Sequence, residues 1–173
     1  MSLLQSQRGF TLIEIIVVMI VLGIMALMGS FGLGRAIEGY KLARENSEVS
    51  QKAQNALDRL AIELSHIPFN TGTSRYNISA GNAGSLTYTA NFGGADEIHT
   101  LTQAGNQLLL DNLPLTDLVV AGNGLQFSYL DKDGNTVGGG GPDPALRIIQ
   151  ISLSLRGLVN VTRTYNTRVA LQS

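Results

Sequence analysis

The chain has 173 residues with 12 basic and 13 acidic side chains, a formal net charge of −1, and 44% hydrophobic against 14% charged residues. That length suits one modest domain plus an anchor, and the even charge, with no basic run or stripe, offers no electrostatic footprint for nucleic acid. Cysteine is absent, which excludes disulfide frameworks, thiolate metal sites and Cys nucleophiles.

The chain opens on a short polar stretch, "MSLLQSQRG", whose only charge is Arg8. From Phe10 to Gly34 the sequence is almost wholly apolar, about 25 residues or roughly 37 Å as a helix. That is enough to cross a hydrocarbon core of about 30 Å, and it exceeds the apolar core of a secretory signal, roughly 7–15 residues. Arg8 favours a cytoplasmic N-terminus, while Arg35 on the far side opposes it. One acid, Glu14, sits inside the apolar run. A carboxylate at a helix centre costs roughly 2.5–3.5 kcal/mol to insert, and less near an end. No Lys, Arg or His lies between Phe10 and Gly34 to neutralise it. A cut between Gly9 and Phe10 would supply the missing cation, a new ammonium four residues ahead of the acid. Gly9 has no side chain to obstruct a protease.

"RGFTLIE" followed by a long apolar run resembles the N-terminal signal of type IV pilins and type II secretion pseudopilins. The matching positions are Arg8 as the leader's charge, then Gly9, Phe10, Thr11, Leu12, Ile13 and Glu14. The resemblance implies a leader over residues 1–9, cleavage between Gly9 and Phe10 by a membrane prepilin peptidase, and N-methylation of Phe10. It implies that Glu14 aligns incoming subunits by attracting the amine at Phe10 of an adjacent one. It further implies other pilin or pseudopilin subunits as partners, and an inner-membrane assembly platform driven by a cytoplasmic ATPase. The chain would cross the bacterial inner membrane once, with its C-terminal domain periplasmic, before joining a periplasmic or surface filament.

Residues 10–34 then form the membrane half of one helix and residues 35–67 an amphipathic half. Val49, Ala53, Leu57, Leu60, Leu64 and Ile67 recur at three-and-four spacing, which marks a helix face that packs onto a following sheet. Arg44 with Glu48, Glu48 with Lys52, and Arg59 with Glu63 are each four apart and support the helix. Pro68 is the natural stop. A helix over 10–67 would be roughly 85–90 Å long. Gly29, Gly32, Gly34 and Gly39 interrupt its middle, each costing about 1 kcal/mol relative to Ala. They point either to local melting in a filament or to close helix packing in the membrane.

After Pro68 the period changes to two. "SLTYTANF" places Leu86, Tyr88, Ala90 and Phe92 on one face, "GLQFSYLD" does so with Leu125, Phe127 and Tyr129, and "LRIIQISLSLRG" with Ile149, Ile151, Leu153 and Leu155. Shorter strands are expected at Glu97–Thr102, Gln107–Leu113 and Val159–Leu171. Turn clusters "TGTS", "GNAGS", "GGAD", "AGN" and "GGGGPDP" separate them, the last as a mobile loop. The fold class is α+β: a long N-terminal helix against a mainly antiparallel sheet, with residues 68–173 as a periplasmic β-rich domain.

Chemistry-bearing patterns are few. Asp131, Asp133 and Asn135 in "DKDGNT" space oxygens as a calcium loop does, but the sixth position is Thr136 and the twelfth Pro142, where an EF-hand needs Gly and Glu. "DG" between two strands reads instead as a hairpin turn. Asp96, Glu97 and His99 suggest a metal or acid–base group, against which a solvated loop is the expected setting. His66, at the helix end, reads as a cap or surface residue. There is no nucleophile elbow or phosphate loop, so neither an enzyme nor a cofactor is expected. The tail, "GLQFSYLDKDGN" to "TYNTRVALQS", resembles J-type minor pseudopilins and W-type minor pilins, which implies a low-copy subunit near a filament tip. Two alternatives stay open: a minor pilin for assembly priming, adhesion or DNA uptake, and a single-pass anchored periplasmic binding domain.

Overall fold

In a computed structural model, the structure describes residues 9–82, 84–138, 143–157 and 160–172. Arg8, the centre of the "GGGGPDP" loop and Val159 lie outside the described residues. Helix α1 runs from Leu12 to Ser65 without a break through Gly29, Gly32, Gly34 and Gly39. At its end the His66 N–H donates to the Glu63 carbonyl and the Ile67 N–H to the Leu64 carbonyl, tightening the last turn to i→i−3 bonds before Pro68.

The chain divides into two units between Arg44 and Glu45. In the first, every side chain of α1 is exposed, including Leu12, Ile13, Met19, Phe31 and Leu33. In the second, α1 buries the stripe read from the sequence, Val49, Ala53, Leu57, Leu60 and Leu64, with Ile67 just beyond it. Two residues join the stripe that the three-and-four spacing did not include, Ala56 and the acid Glu63. Glu48 with Lys52 and Arg59 with Glu63 form the i,i+4 ion pairs expected of them. Lys52 also donates to Asp117 at 2.9 Å, which fastens the helix to the chain after the last strand of the larger sheet. That bond, with the attraction of both carboxylates, raises the lysine's pKa even against burial.

The β region is antiparallel throughout but is three ladders, where the sequence suggested one sheet. Strands β1 (Phe69–Asn70) and β2 (Arg75–Tyr76) pair across the "TGTS" turn. A five-stranded meander follows: β3 (Ile78–Gly81), β4 (Ser85–Ala90), β5 (Glu97–Ala104), β6 (Gln107–Leu110) and β7 (Leu113–Thr116), in sheet order as in chain order. The third ladder has β8 (Leu125–Leu130), β9 (Ile148–Arg156) and β10 (Thr162–Ala170), with β9 central. Alternation places the residues read from the sequence inside. Leu86, Tyr88 and Ala90 of β4, Leu125, Phe127 and Tyr129 of β8, and Ile149, Ile151, Leu153 and Leu155 of β9 are all buried.

Two strand assignments need correction. β4 stops at Ala90, so Phe92 leaves the sheet and stacks on the His66 ring at 4.6 Å. Gln107–Leu113 is not one strand: Asp111 (φ 52°) and Asn112 (φ 66°) make a two-residue turn between β6 and β7. Both central residues have positive φ, as a type I′ hairpin requires, and Asn and Asp tolerate it. The segments β1 to β3 are too short to show a period.

A side chain of β5 helps to tie the larger sheets. Gln103 of β5 donates to the Val120 carbonyl at 2.7 Å and accepts from the Leu125 N–H at 3.0 Å, at the start of β8. The intervening segment hugs β9, with Val119 bridged to Leu155 and the Ser154 N–H bonded to the Gly124 carbonyl. A Cβ at Gly124 would overlap the Val120 carbonyl oxygen, which is why glycine stands there. The core is continuous from Val49 to Leu171, and the Tyr76 hydroxyl donates to the Leu171 carbonyl at 3.2 Å.

Candidate functional site

Gly9 and Phe10 precede α1 in irregular, exposed backbone, with Phe10 at 78% exposure and nothing within 4 Å of where a Gly9 side chain would be. The peptide bond between them is therefore open to an enzyme and free of helical hydrogen bonds. Thr11 follows as the N-cap, its carbonyl accepting from the N–H groups of Glu14 (3.1 Å) and Ile15 (3.3 Å). Glu14 lies in the first turn and turns its carboxylate back to the Thr11 N–H, with Oε2 at 3.5 Å. Thr-Leu-Ile-Glu is thus half of a capping box, in which an acid at the third helical position accepts from the N-cap N–H. The sequence carried this signal in its T-x-x-E spacing, and transfer cost alone did not reveal it. The helix N-terminus, partially positive, also favours an acid there. Glu14 therefore has a local role in starting the helix, and its outward-facing, exposed carboxylate remains available to a cation from another molecule.

Behind it, α1 is long and apolar enough to cross a membrane, and none of the side chains of that segment is buried in this chain. Glu14 is its one ionisable group between Phe10 and Gly34.

The polar residues singled out in the β region fall elsewhere. Asp131 Oδ1 accepts from the N–H groups of Asp133 and Asn135, both at 2.8 Å, and Oδ2 accepts from the Asn135 side chain. Those bonds, the Asn135 side chain first, hold the Asp131 carboxyl below its ordinary range. Gly134 takes φ 86°, and Leu130 bridges to Thr136, so the segment is a hairpin turn closed by its own aspartate. Among the described residues no group of three or more His, Asp and Glu side chains is placed to hold a metal. His66 Nδ1 lies 2.8 Å from the Ile62 carbonyl and caps the end of α1.

Asp96, Glu97 and His99 do not converge. Asp96 accepts from Asn91 at 2.8 Å, while Glu97 and His99 stand on β5 and not in the solvated loop expected for them. His99 instead meets Asp111 of the β6–β7 turn, Nδ1 to Oδ2 at 2.7 Å, with the imidazole side chain 15% exposed. Asp111 Oδ1 accepts from the Thr100 N–H at 2.7 Å. Partial burial pushes the Asp111 carboxyl up, but the His99 and Thr100 hydrogen bonds outweigh it and leave the pKa below the ordinary 3.8. A depressed folded-state value means stability that is present above pH 3.8 and is lost as pH falls through the folded value. Denaturant midpoints measured between pH 5 and pH 2 are expected to fall more steeply for the parent than for Asp111→Asn; identical slopes would remove this acid from the stability of the turn.

A family model for the prokaryotic N-terminal methylation motif matches residues 4–30. No match to a curated protein or to a solved structure was found. The motif covers Gly9, Phe10, Glu14 and most of the apolar segment. With that motif heading a single long helix, and antiparallel sheets behind it, the chain is type IV pilin- or pseudopilin-like.

Proposed function

We propose that the chain is a non-enzymatic structural subunit, a minor pseudopilin of a type II secretion pseudopilus. Prepilin peptidase would cleave it between Gly9 and Phe10, removing a leader that includes Arg8, and Phe10 would be N-methylated. It would wait in the inner membrane as a single-pass monomer, with residues 68–173 periplasmic, until an assembly platform draws it into a filament of related subunits. The observation that carries this reading is the methylation motif at residues 4–30, with a lone acid in the first helical turn and an exposed, non-helical peptide bond just before it. Cleavage creates an ammonium at Phe10, and an acid that faces outward from one helix can accept it from a neighbour. In the low dielectric of the membrane such a pair is strengthened, and the attraction offsets part of the desolvation penalty of each charge. The assignment to the minor, low-copy class rests on the resemblance of the segment from Gly124 to Ser173.

The chain should be expressed with and without a prepilin peptidase and its N-terminus read by mass spectrometry. The expected product starts at methylated Phe10 only in the presence of the peptidase. Full-length Met1 in both strains would remove the assembly reading and leave an anchored periplasmic domain. Deleting the gene and assaying exoprotein secretion beside surface piliation separates a pseudopilus subunit from a minor pilin.

A further inference from the structure

Strand β10 is the outer strand of its ladder, paired on one side by β9. At about 3.4 Å per residue its free side is an edge of about 30 Å. The Leu171 N–H donates to the Arg147 carbonyl at 2.8 Å and the Gly157 N–H to the Val161 carbonyl at 3.0 Å, both in the register that runs through the whole β9–β10 ladder. Hydrogen-bonded pairs alternate along an antiparallel ladder. Residues 163, 165, 167 and 169 therefore bond to β9, while Thr162, Thr164, Asn166, Arg168 and Ala170 turn their N–H and C=O groups to the free side. Among the described residues these groups have no hydrogen-bond partner, and all five residues are exposed. Folded proteins blunt such an edge with short length, a bulge, proline or charge. The other border strands show these devices. β3 has four residues and a register shift, and β7 has four residues including Pro114. β8 is met by the returning chain, with the Val137 N–H donating to the Tyr129 carbonyl at 2.9 Å. β10 runs without a shift and without proline. Its one device is charge, from Arg163 and Arg168, and a charge of one sign selects a partner as well as excluding others.

That charge indicates the occupant. Strands β8, β9 and β10 contain no acid, and their arginines, Arg156, Arg163 and Arg168, form no ion pair among the described residues. Gln150 Oε1 accepts from Arg168 Nε at 2.8 Å, which steadies the guanidinium on the outer face of the sheet and leaves its two terminal amino groups for a carboxylate. A second copy of β10 would bring two more arginines and no acid to the same border. A simple polyanion such as polyphosphate accepts hydrogen bonds but offers no donors to the edge carbonyls. An extended backbone offers both, in the spacing the edge requires. Acids at alternate positions of that backbone would lie on the face of Arg168, and opposite charges across strands stabilise the pairing.

We infer that the free edge of β10 takes an extended acidic segment of a partner protein as an added antiparallel strand, its main chain bonded to Thr162, Thr164, Asn166 and Arg168 and a carboxylate on the Arg168 guanidinium. The inference stands on the sheet edge and is independent of the assembly reading above. The ¹⁵N-labelled full chain in detergent micelles is titrated with the acetylated, amidated peptide Thr-Glu-Thr-Glu-Thr-Glu-Thr, and hydrogen exchange is followed amide by amide. Saturable slowing of exchange is expected at Thr162, Thr164, Asn166 and Arg168, the amides that exchange freely without peptide. The same peptide with lysine for glutamate is expected to bind about tenfold or more weakly, since each cross-strand charge pair changes sign. N-methylation of its glutamates, whose N–H groups face the edge when their side chains lie beside Arg168, should abolish the protection. Asn166→Pro should do the same with the folded spectrum retained, because that N–H serves no bond within the fold. Arg168→Gln should remove most of the preference for glutamate over lysine. No protection, equal affinity for the lysine or the N-methylated peptide, a preference unchanged by Arg168→Gln, or the same protection with inorganic polyphosphate would each overturn the proposal. Protection that grows with chain concentration in the absence of peptide would assign the edge to a second copy and overturn it as well. If Asn166→Pro loses its folded spectrum, the N-methylated peptide decides alone.

Discussion

A Glu14→Leu chain is expected to insert into the membrane at least as well as the parent and to be lost from assembled filaments. Insertion improves because a carboxylate costing roughly 2.5–3.5 kcal/mol at a helix centre gives way to a side chain worth about −0.5 kcal/mol. Assembly suffers because the amine at Phe10 of the next subunit loses its anion. A charge-assisted hydrogen bond contributes about 1.5–3 kcal/mol, so incorporation should fall roughly 10- to 100-fold. The local cap is a competing explanation, since leucine also removes the acceptor for the Thr11 N–H. Glu14→Gln separates the two: glutamine serves a capping box nearly as well as glutamate but carries no charge. If pairing decides, Gln is as defective as Leu; if capping decides, Gln restores incorporation. The measurement is the ratio of subunit in isolated filaments to subunit in membranes. Normal incorporation of the Gln variant would end the pairing account.

Leu60→Ala should be the most costly single change among those considered for the β unit. Leu60 is fully buried in the seam of α1 and belongs to the core cluster shared with β4, β8 and β9. Truncation to Ala there costs about 2–5 kcal/mol, because the lost transfer energy is compounded by a cavity that helix and sheets cannot close. Ile62→Ala, two residues away on the exposed side of the same helix, should cost within about 0.5 kcal/mol. Denaturant midpoints of the full chain, followed by near-UV circular dichroism, compare the two. Equal losses would mean that the stripe does not define the packed face.

That stripe was legible in the sequence because helix period is a local property. Val49 to Ile67 repeat on one face whatever they pack against, and Leu86 to Ala90 or Ile149 to Leu155 alternate for the same reason. The apolar run and the contiguous Gly9–Glu14 signal are equally local. The turn at Asp111 and Asn112 was hidden, since apolar residues on both sides read as one strand and the positive φ appears only in the folded backbone. From spacing alone Glu63 is half of a helix-supporting ion pair with Arg59, and that pair forms. Its side chain is on the helix face that the sheets cover, and the spacing of the leucines did not weigh a charged residue among them. His99 was grouped with its sequence neighbours Asp96 and Glu97, whereas its partner, Asp111, is twelve positions away across a hairpin.

By itself, then, the sequence determined the long apolar segment, the N-terminal methylation motif, the packed face of the helix and the faces of three strands, since contiguity and short periods encode all of them. The tertiary structure decided that the strands divide into three ladders, that Gln103 ties the two larger ones, and that His99 pairs with Asp111 across a hairpin. Those outcomes depend on register and on pairs distant along the chain, which no local pattern records.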